Sequence, residues 1–270
     1  MLDLAGQRPF SVRFGWAAQD LAALTHPSNV IVIVDVLRFT TAVSVAVGRG
    51  AAVLPFRHRD VSAQRFAVQQ DAVLAGRRGD PTVPWSLSPT DLDRIPTGTR
   101  LVLPSPNGAA LSTMAAELGA ATIIAGCLRN ATAVGRALAA EVTAGRNVAV
   151  IAAGERWPDG AGTPHAGPLR PAVEDLLGAG AVIARAVDAA GLARKWVSPE
   201  ARAAMAAFRD AESDVHGELV GSVSGRELAA LGWVDDVASA AQLDADLVVP
   251  VLHDGAFTAI PIPQTEDGNV

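Results

Sequence analysis

The sequence predicts an α/β protein of three layers, in which helices cover both faces of a mostly parallel or mixed β-sheet. Two observations lead to this fold class. Short apolar runs rich in β-branched residues recur along the 270-residue chain, and Ala- and Leu-rich stretches of helical length lie between them. Most of the runs are apolar throughout rather than alternating with polar residues, which is typical of strands covered on both faces.

The apolar runs place the strands, and the stretches between them place the helices. Strands are predicted at Val30–Val34, Ala52–Phe56, Leu101–Leu103, Thr122–Ala125, Val148–Ala152, Leu247–Leu252 and Phe257–Ile260. The clearest helices are predicted at Val61–Leu74, Ala109–Leu118, Ala131–Val142 and Ala172–Ala189. The last of these carries an apolar stripe at helical spacing, which indicates one face packed on a core.

Two stretches break the alternation and are predicted to be long loops. They are Arg77–Pro96, rich in Pro, Ser and Asp, and Gly154–Pro171, rich in Gly and Pro. Long loops that follow strands of a parallel sheet tend to carry the functional site. We expect one domain over residues 1–270, with a smaller C-terminal lobe from about residue 196 as the alternative, and a frayed tail at Gln264–Val270.

Composition excludes several classes of protein. The net charge of −6, from 22 Lys and Arg against 28 Asp and Glu, argues against a general nucleic-acid binder, which needs clustered positive charge. The single cysteine, Cys127, excludes a disulfide within the chain. The N-terminus lacks the pattern of a signal peptide, and no apolar run is long enough to span a membrane, so we expect a cytoplasmic protein without a membrane partner.

The first candidate motif follows the strand that ends at Val34. Asp35, Arg38 and Thr40 come directly after it, and a helix starting near Thr40 would turn its free N–H groups toward the same place. Asp35 could bind a metal or attack phosphorus, while Arg38 could hold a phosphate through its guanidinium fork. The alternative is an ordinary Asp–Arg pair with Thr40 as a helix cap.

Two further strand ends carry polar turns before a helix. Ser105, Asn107 and Gly108 follow one strand, and the amide of Asn107 could donate to a phosphate oxygen or simply cap the helix. Arg129 and Asn130 follow the next strand and repeat the pairing of a cation with an amide. Cys127, beside them, has no histidine near it in sequence, which favours a buried thiol over a nucleophile.

Carboxylates mark a fourth turn. Glu155 and Arg156 open the Gly/Pro-rich loop, and Glu174 and Asp175 lie in the first turn of the helix that follows it. Carboxylate oxygens suit Mg²⁺, which usually takes one or two of them and keeps waters for a substrate phosphate. The alternative is that acids favour the positive end of a helix dipole. Of the histidines, His165 in this loop is the one that could contribute.

Together the four turns describe one rim of the sheet, lined with groups that donate hydrogen bonds to phosphate and with carboxylates that bind a metal. Such a set of groups is sufficient for phosphoryl transfer. The chain has no P-loop, no Gly-x-Gly-x-x-Gly opening a helix and no Gly-x-Ser-x-Gly, which argues against nucleotide hydrolysis, dinucleotide binding and α/β-hydrolase chemistry. Asp35 is also not part of an Asp-x-Asp, which argues against a haloacid-dehalogenase type of phosphatase.

The motifs and their order resemble the 2-phosphosulfolactate phosphatase (ComB-like) family over nearly the whole chain. The matching segments are Asp35-Val36-Leu37-Arg38, Asn107-Gly108, Arg129-Asn130-Ala131, Glu174-Asp175 with Gly178-Ala179-Gly180, and Leu231 to Val237 with Asp244 and Val249-Pro250. The resemblance implies a compact three-layer α/β fold and a Mg²⁺-dependent hydrolase. The reaction it implies releases phosphate from 2-phosphosulfolactate, a step toward coenzyme M.

On this basis each candidate residue receives an expected role. Mg²⁺ is expected on Asp35, Glu174 and Asp175. The phosphate is expected on Arg38, Asn107 and Asn130, assisted by Thr40, Ser105 and Gly108, and the second acidic group of the substrate on Arg129, Arg156 or Arg170. Either water attacks phosphorus, activated by the metal or a carboxylate, or Asp35 forms a covalent phosphoryl intermediate. The expected partner is a small phosphorylated acid, and a homodimer is the base-rate expectation.

Three positions depart from the family pattern. Leu87-Ser88-Pro89 stands where Asn-Ser-Pro is expected, Ala109 follows Gly108 in place of a threonine, and Ala172 replaces the serine before Glu174. These departures favour the alternative function, a non-catalytic anion- or metabolite-binding protein that keeps the family fold. A Mg²⁺-dependent phosphatase and this binding protein differ in whether phosphate is released.

Overall fold

The computed structural model describes residues 4–27, 29–163 and 167–259, which form an α/β fold. The strands are β1 (Val12–Trp16), β2 (Val30–Val34), β3 (Ala52–Phe56), β4 (Val73–Leu74), β5 (Arg100–Pro104), β6 (Thr122–Gly126), β7 (Val148–Ala152), β8 (Glu155–Arg156), β9 (Leu169–Arg170), β10 (Pro250–His253) and β11 (Ala256–Ala259). The helices are α1 (Ala17–Leu24), α2 (Phe39–Gly48), α3 (Val61–Gln69), α4 (Pro89–Leu92), α5 (Gly108–Glu117), α6 (Ala131–Thr143), α7 (Val173–Ala190), α8 (Pro199–Ala211), α9 (Val215–Gly221), α10 (Val223–Ala230) and α11 (Val234–Ala240).

Nine of the strands in this described part form one mixed sheet, in the order β1-β7-β2-β6-β10-β11-β3-β5-β4. The pairings among β1, β7, β2 and β6, and those of β5 with β3 and β4, are parallel. The β10–β11 hairpin is antiparallel to both of its neighbours and joins these two parallel groups. The predicted fold class, a three-layer α/β arrangement with a mixed sheet, is confirmed.

Each face of the sheet has its own hydrophobic core. Side chains of β1, β2 and β7 on one face pack with α6, α7 and the C-terminal helices α8, α9 and α11. On the other face, side chains of β2, β5, β7 and β11 pack with α1, α2 and α5. Strands such as β2 and β7 are buried at every position, which explains why their sequences are apolar without alternation.

Helix α2 is enclosed by the sheet and its neighbours. Its residues from Phe39 to Val47 are all buried, and the ring of Phe39 packs edge-on against Phe257 of β11 at 6.3 Å. A helix that is apolar all round belongs in a core rather than on a surface. Helix α5, which follows β5, packs on β2, so the turn after β5 lies beside the carboxyl end of β2 although the two strands are five positions apart in the sheet.

The sequence placed most elements within a few residues and missed or misread others. Strand β1 and helix α1 were not predicted. The helix predicted over Val61–Leu74 is wrong at its C-terminal end, because Asp71 adopts a φ of 48° in a turn and the chain continues as β4. The two expected long loops contain α4 and the β8–β9 ribbon. Ile260 and the expected tail Gln264–Val270 lie outside the described residues.

No described helix combines the length and the apolar character that crossing a membrane requires.

Candidate active site

The candidate site lies where the carboxyl ends of β2, β5 and β7 meet the first turn of α7. Asp35 follows β2, Asn107 and Gly108 follow β5, and Glu155 follows β7. Glu174 stands in the first turn of α7. The structure therefore brings together polar residues from three of the four turns that the sequence singled out.

Asp35 is the centre of this group. Its carboxylate is 5% exposed and accepts hydrogen bonds from the backbone N–H of Phe39 at 3.1 Å and of Gly108 at 2.8 Å. Burial raises the pKa of Asp35 above its ordinary value, those two N–H groups oppose the rise, and Glu174 adds to it. Ser105 lies at 3.5 Å from the same carboxylate.

Thr40 supports Asp35 from the start of α2. Its hydroxyl accepts from the N–H of Asp35 and donates to the C=O of the same residue, both at 2.9 Å. The threonine is fully buried. These contacts fix the backbone of Asp35, so the structure places Thr40 behind the site rather than toward a ligand.

Gly108 is required by the close approach of α5 to β2. A Cβ atom at this position would lie 2.4 Å from Cδ1 of Phe39 and 2.8 Å from Oδ2 of Asp35. Only glycine therefore lets the first N–H of α5 reach the carboxylate. The neighbouring Asn107 donates its amide to Oε2 of Glu155 at 3.1 Å and does not cap the helix with its side chain.

Glu174 and Asp175 are adjacent and buried, yet their surroundings differ. Asp175 accepts the N–H of Val36 at 2.7 Å and of Gly154 at 2.8 Å, so it ties the loop after β2 to the loop after β7. Burial raises the pKa of Asp175 well above its ordinary value, and the charges of Asp35 and Glu174 add to the rise. For Glu174, which is 2% exposed, no hydrogen bond to the carboxylate is found within residues 4–27, 29–163 and 167–259.

Glu155 adds a fourth carboxylate. Burial raises the pKa of Glu155 to about 7, and the charge of Asp35 adds to the rise, while the hydrogen bond from Asn107 and the charge of Arg170 oppose it. Glu155 therefore titrates near neutral pH. His165, from the same loop, lies outside the described residues.

Three buried carboxylates, with the partly exposed carboxylate of Glu155 beside them, favour a bound cation. An anionic substrate would be repelled from them unless positive charge neutralised the cluster. Within the described residues, no three Asp, Glu, His or Cys side chains form a group that could hold a metal ion by themselves. Two of the carboxylates, Asp35 and Glu174, still suit Mg²⁺, which needs only one or two protein carboxylates beside water and phosphate oxygens.

Arg38 borders the carboxylates on one side. Its guanidinium donates to Asp236 at 2.5 Å and stacks on the ring of Trp233 with 4.7 Å to the ring centroid. Asp236 is fully buried and also accepts from Ser88 at 2.5 Å and from Thr90 at 3.1 Å. The Leu87-Ser88-Pro89 departure thus retains a serine that helps to hold the partner of Arg38.

Arg129 and Asn130 are engaged elsewhere. Arg129 forms a two-pronged ion pair with Asp246 at 2.8 and 2.9 Å and donates to the C=O of Ser239. Asn130 is fully buried, accepts from the N–H of Cys127 and donates to the C=O of Ala125. The structure therefore does not bring either side chain to the carboxylates. Cys127 is a buried thiol whose pKa burial raises to about 11, as the sequence indicated.

Arg156 faces a separate part of the rim. With Arg57 and Asn107 it lines a cleft of about 160 Å³, and its guanidinium lies 3.3 Å from the C=O of Gly167. The other expected arginine of this loop, Arg170, is 7% exposed and pairs with Glu227 at 3.2 Å. Arg156 is thus the more accessible of the two to a small ligand.

Sequence reasoning missed the partners of Arg38. Trp233 and Asp236 lie far along the chain from Arg38, and by sequence they belong only to a segment that resembles the family. The available signal was an acid and an aromatic residue at the start of a short helix, α11. That signal does not identify which arginine they face, because the pairing depends on the tertiary fold.

The fold and the site together define a three-layer α/β protein in which carboxylates and an arginine lie at one edge of a mixed sheet. A model of the 2-phosphosulpholactate phosphatase family matches residues 17–255. A probable 2-phosphosulfolactate phosphatase of Deinococcus radiodurans is similar as well: it is 32% identical over 243 residues, which cover 87% of this chain and 92% of the relative. The chain belongs to the 2-phosphosulfolactate phosphatase family, as its motifs indicated.

Proposed function

We propose that the protein is a Mg²⁺-dependent phosphatase that hydrolyses a small acidic phosphate ester, 2-phosphosulfolactate, to 3-sulfolactate and phosphate. The observation that carries the proposal is the juxtaposition of Asp35 and Glu174, two buried carboxylates, with the guanidinium of Arg38. The carboxylates, which can bind a cation, therefore lie next to a guanidinium group, which can bind the phosphate. Membership of the family supports the choice of substrate.

Some residues of the site would hold the cation or the phosphate, and others position the loops that carry those residues. Bound at Asp35 and Glu174, Mg²⁺ would supply positive charge that offsets the phosphoryl oxygens and favours attack by water. Arg38 pairs with a further phosphoryl oxygen, and its contacts with Asp236 and Trp233 hold it in place. Asp175 orients the two loops through their N–H groups.

Proton transfer falls to Glu155. With a pKa near 7, its carboxyl group can give up or accept a proton at neutral pH, which suits protonation of the departing alkoxide oxygen. The hydrogen bond from Asn107 holds this carboxyl group beside the turn that follows β5. Asn107 therefore acts on the reaction through Glu155 as well as through any contact with phosphate.

The test is release of inorganic phosphate from purified protein with Mg²⁺ or with EDTA. The panel contains 2-phosphosulfolactate, phosphoglycolate and phenyl phosphate. We expect release from the first compound in Mg²⁺ and none in EDTA. Asp35→Asn is expected to abolish release, whereas Asp210→Asn, at an exposed position of α8, is expected to retain it.

One result would count against the phosphatase, and another against the role of Asp35. Folded wild-type protein that releases no phosphate from any compound would favour the non-catalytic anion-binding alternative. Full activity of the folded Asp35→Asn protein would remove Asp35 from the mechanism. Thermal unfolding of each variant shows whether a loss of activity comes from a loss of fold.

A further inference from the structure

Four arginines gather beside the candidate site from three different strand ends. Arg38 follows β2, Arg59 follows β3, and Arg77 and Arg78 follow β4. Arg59 donates to the C=O of Gly76 at 2.6 Å, which fixes it next to the β4 turn. We call these four residues the arginine patch.

Two members of the arginine patch share the same supports. Nη1 of Arg38 and Nη1 of Arg78 lie 2.5 and 2.8 Å from Oδ2 of Asp236. Both guanidinium groups also pack on the ring of Trp233, at 4.7 and 5.7 Å from its centroid. Such contacts are a common way to hold two like charges close together.

The arginine patch carries more positive charge than the protein neutralises. Among the residues that the structure describes, Asp236 is the one carboxylate within ion-pair distance of any member, and Arg59 and Arg77 have no ion pair. Asp80 feels the charge of Arg77 without pairing with it. Although Arg59 is exposed, desolvation lowers its pKa, and the charges of Arg77 and Arg38 lower it further, as expected for neighbouring cations.

The patch adjoins the carboxylates of the candidate site. Arg38 belongs to both, and its charge lowers the pKa of Asp35 against the effect of burial. For a substrate whose phosphate contacts Arg38, Arg59 and Arg77 are neighbouring cations that its remaining groups could meet. Uncompensated guanidinium groups at that place match anionic groups in the substrate.

We propose that Arg59 and Arg77 bind the acidic groups that a substrate carries besides its phosphate, so that the site selects phosphate esters with two further acids. The inference rests on the proposed function and deepens it by assigning residues to substrate choice. In 2-phosphosulfolactate the phosphate carries close to two negative charges at neutral pH, and a carboxylate and a sulfonate add one each. Phenyl phosphate lacks both of those groups.

The first experiment measures binding and needs no turnover. 3-Sulfolactate, which carries both acids, and lactate, which carries one, are titrated into the full-length protein by calorimetry in Mg²⁺. Wild-type protein is expected to bind 3-sulfolactate more tightly than lactate. Arg59→Gln and Arg77→Gln are each expected to weaken 3-sulfolactate binding about tenfold, the loss typical of one charge-assisted hydrogen bond.

The matched control is Arg209→Gln. Arg209 is an exposed arginine of α8 that pairs with Asp188, so the substitution changes the net charge equally at a distant place. It is expected to leave binding of 3-sulfolactate unchanged. Equal loss in all three variants would overturn the inference, because the effect would then come from net charge, and so would unchanged binding in the Arg59→Gln and Arg77→Gln proteins.

The second experiment separates this inference from the phosphatase itself. KM and kcat are measured for 2-phosphosulfolactate and for phenyl phosphate. Arg59→Gln and Arg77→Gln are expected to raise KM about tenfold for the first compound, to leave KM for the second nearly unchanged, and to change kcat little. Equal shifts for both compounds would overturn the inference while leaving the phosphatase intact, whereas a wild-type protein that binds 3-sulfolactate but releases no phosphate would overturn only the phosphatase.

Discussion

At the scale of single residues, the adjacent acids of α7 show how neighbours in sequence acquire different roles. Asp175 accepts two backbone N–H groups, whereas Glu174 is buried beside Asp35 with no hydrogen bond found among the described residues. A carboxylate buried in this way costs stability until a cation joins it. The cost is consistent with Glu174 acting on a ligand rather than on the fold.

Replacing Glu174 by glutamine tests this reading. In EDTA, Glu174→Gln is expected to raise the free energy of unfolding by about 1 kcal/mol, because one buried charge is removed. The rise in Tm that Mg²⁺ gives the wild type should disappear, and phosphate release should fall about 100-fold. Glu200→Gln, at an exposed position of α8, serves as the control and should keep both properties. A variant that keeps its stabilisation by Mg²⁺ would show that Glu174 is not a ligand.

The raised pKa of Glu155 predicts that the stability of the protein depends on pH. This pKa is about 7 in the folded protein against an ordinary value of 4.5, so the folded state holds a proton that the unfolded state releases between these values. The stabilisation is complete below about pH 4.5 and is lost as pH rises through 7. In EDTA, Glu155→Gln should therefore flatten the fall in unfolding free energy over this range, by an amount of the order of 3 kcal/mol at most. Parallel pH profiles of the variant and the wild type would contradict the assignment.

At the scale of elements, the packing of α7 against α8 depends on a glycine. A Cβ atom at Gly180 would lie 2.1 Å from the backbone O of Ala204 and 2.9 Å from Cβ of Phe208. Because the nearest atom belongs to the backbone of α8, the two helices would have to separate to admit a methyl group. Gly180 therefore sets how closely α8 packs on α7.

Gly180→Ala is expected to lower the free energy of unfolding by about 1–3 kcal/mol, the usual cost of overpacking a core. Urea unfolding measures the change. Gly221→Ala is the matched control, since a Cβ atom there meets nothing within 4 Å, and it should be neutral or stabilising by up to about 1 kcal/mol. Equal effects of the two substitutions would mean that the crossing of α7 and α8 tolerates the methyl group.

At the scale of the whole molecule, Arg129 joins the C-terminal segment to the sheet. It pairs with Asp246 through two hydrogen bonds, and Asp246 also accepts from Ser44 of the enclosed helix α2. The N–H of Asp246 donates back to the C=O of Arg129 at 2.8 Å. The contacts hold the segment that leads into β10, and β10 joins the two parallel groups of strands.

A double-mutant cycle measures this connection. Arg129→Ala and Asp246→Ala are each expected to cost about 3 kcal/mol, because each leaves a poorly solvated charge without its partner. The double variant should cost less than the sum by about 1–3 kcal/mol. The exposed pair of Arg209 and Asp188 is the control cycle, with a coupling below about 1 kcal/mol. Additive effects at Arg129 and Asp246 would show that the pair does not hold the segment.

Local sequence could predict the strands and helices whose burial follows a simple pattern, and the polar motifs at their ends. Strands β2 and β7 and helix α7 were placed within a residue or two, because apolar runs and helical periodicity report burial directly. The motifs at Asp35, Asn107 and Glu174 were identified because a charge or amide directly after a buried element is informative. Strand β1 was missed, since Arg13 and Gly15 interrupt its apolar run.

By itself the sequence determined the α/β class, the family and the strand ends at which polar residues stand, because each of these follows from the order of residues along the chain. Only the tertiary structure decided which of those residues meet. It brings Gly108 to Asp35 across a sheet in which their strands are five positions apart, and it pairs Arg38 with Asp236. It also shows that the side chain of Asn130 forms its hydrogen bonds within its own turn, with Cys127 and Ala125, and not with the carboxylates of the site. Which partners a side chain meets depends on distances in the folded protein, and the sequence does not give these distances.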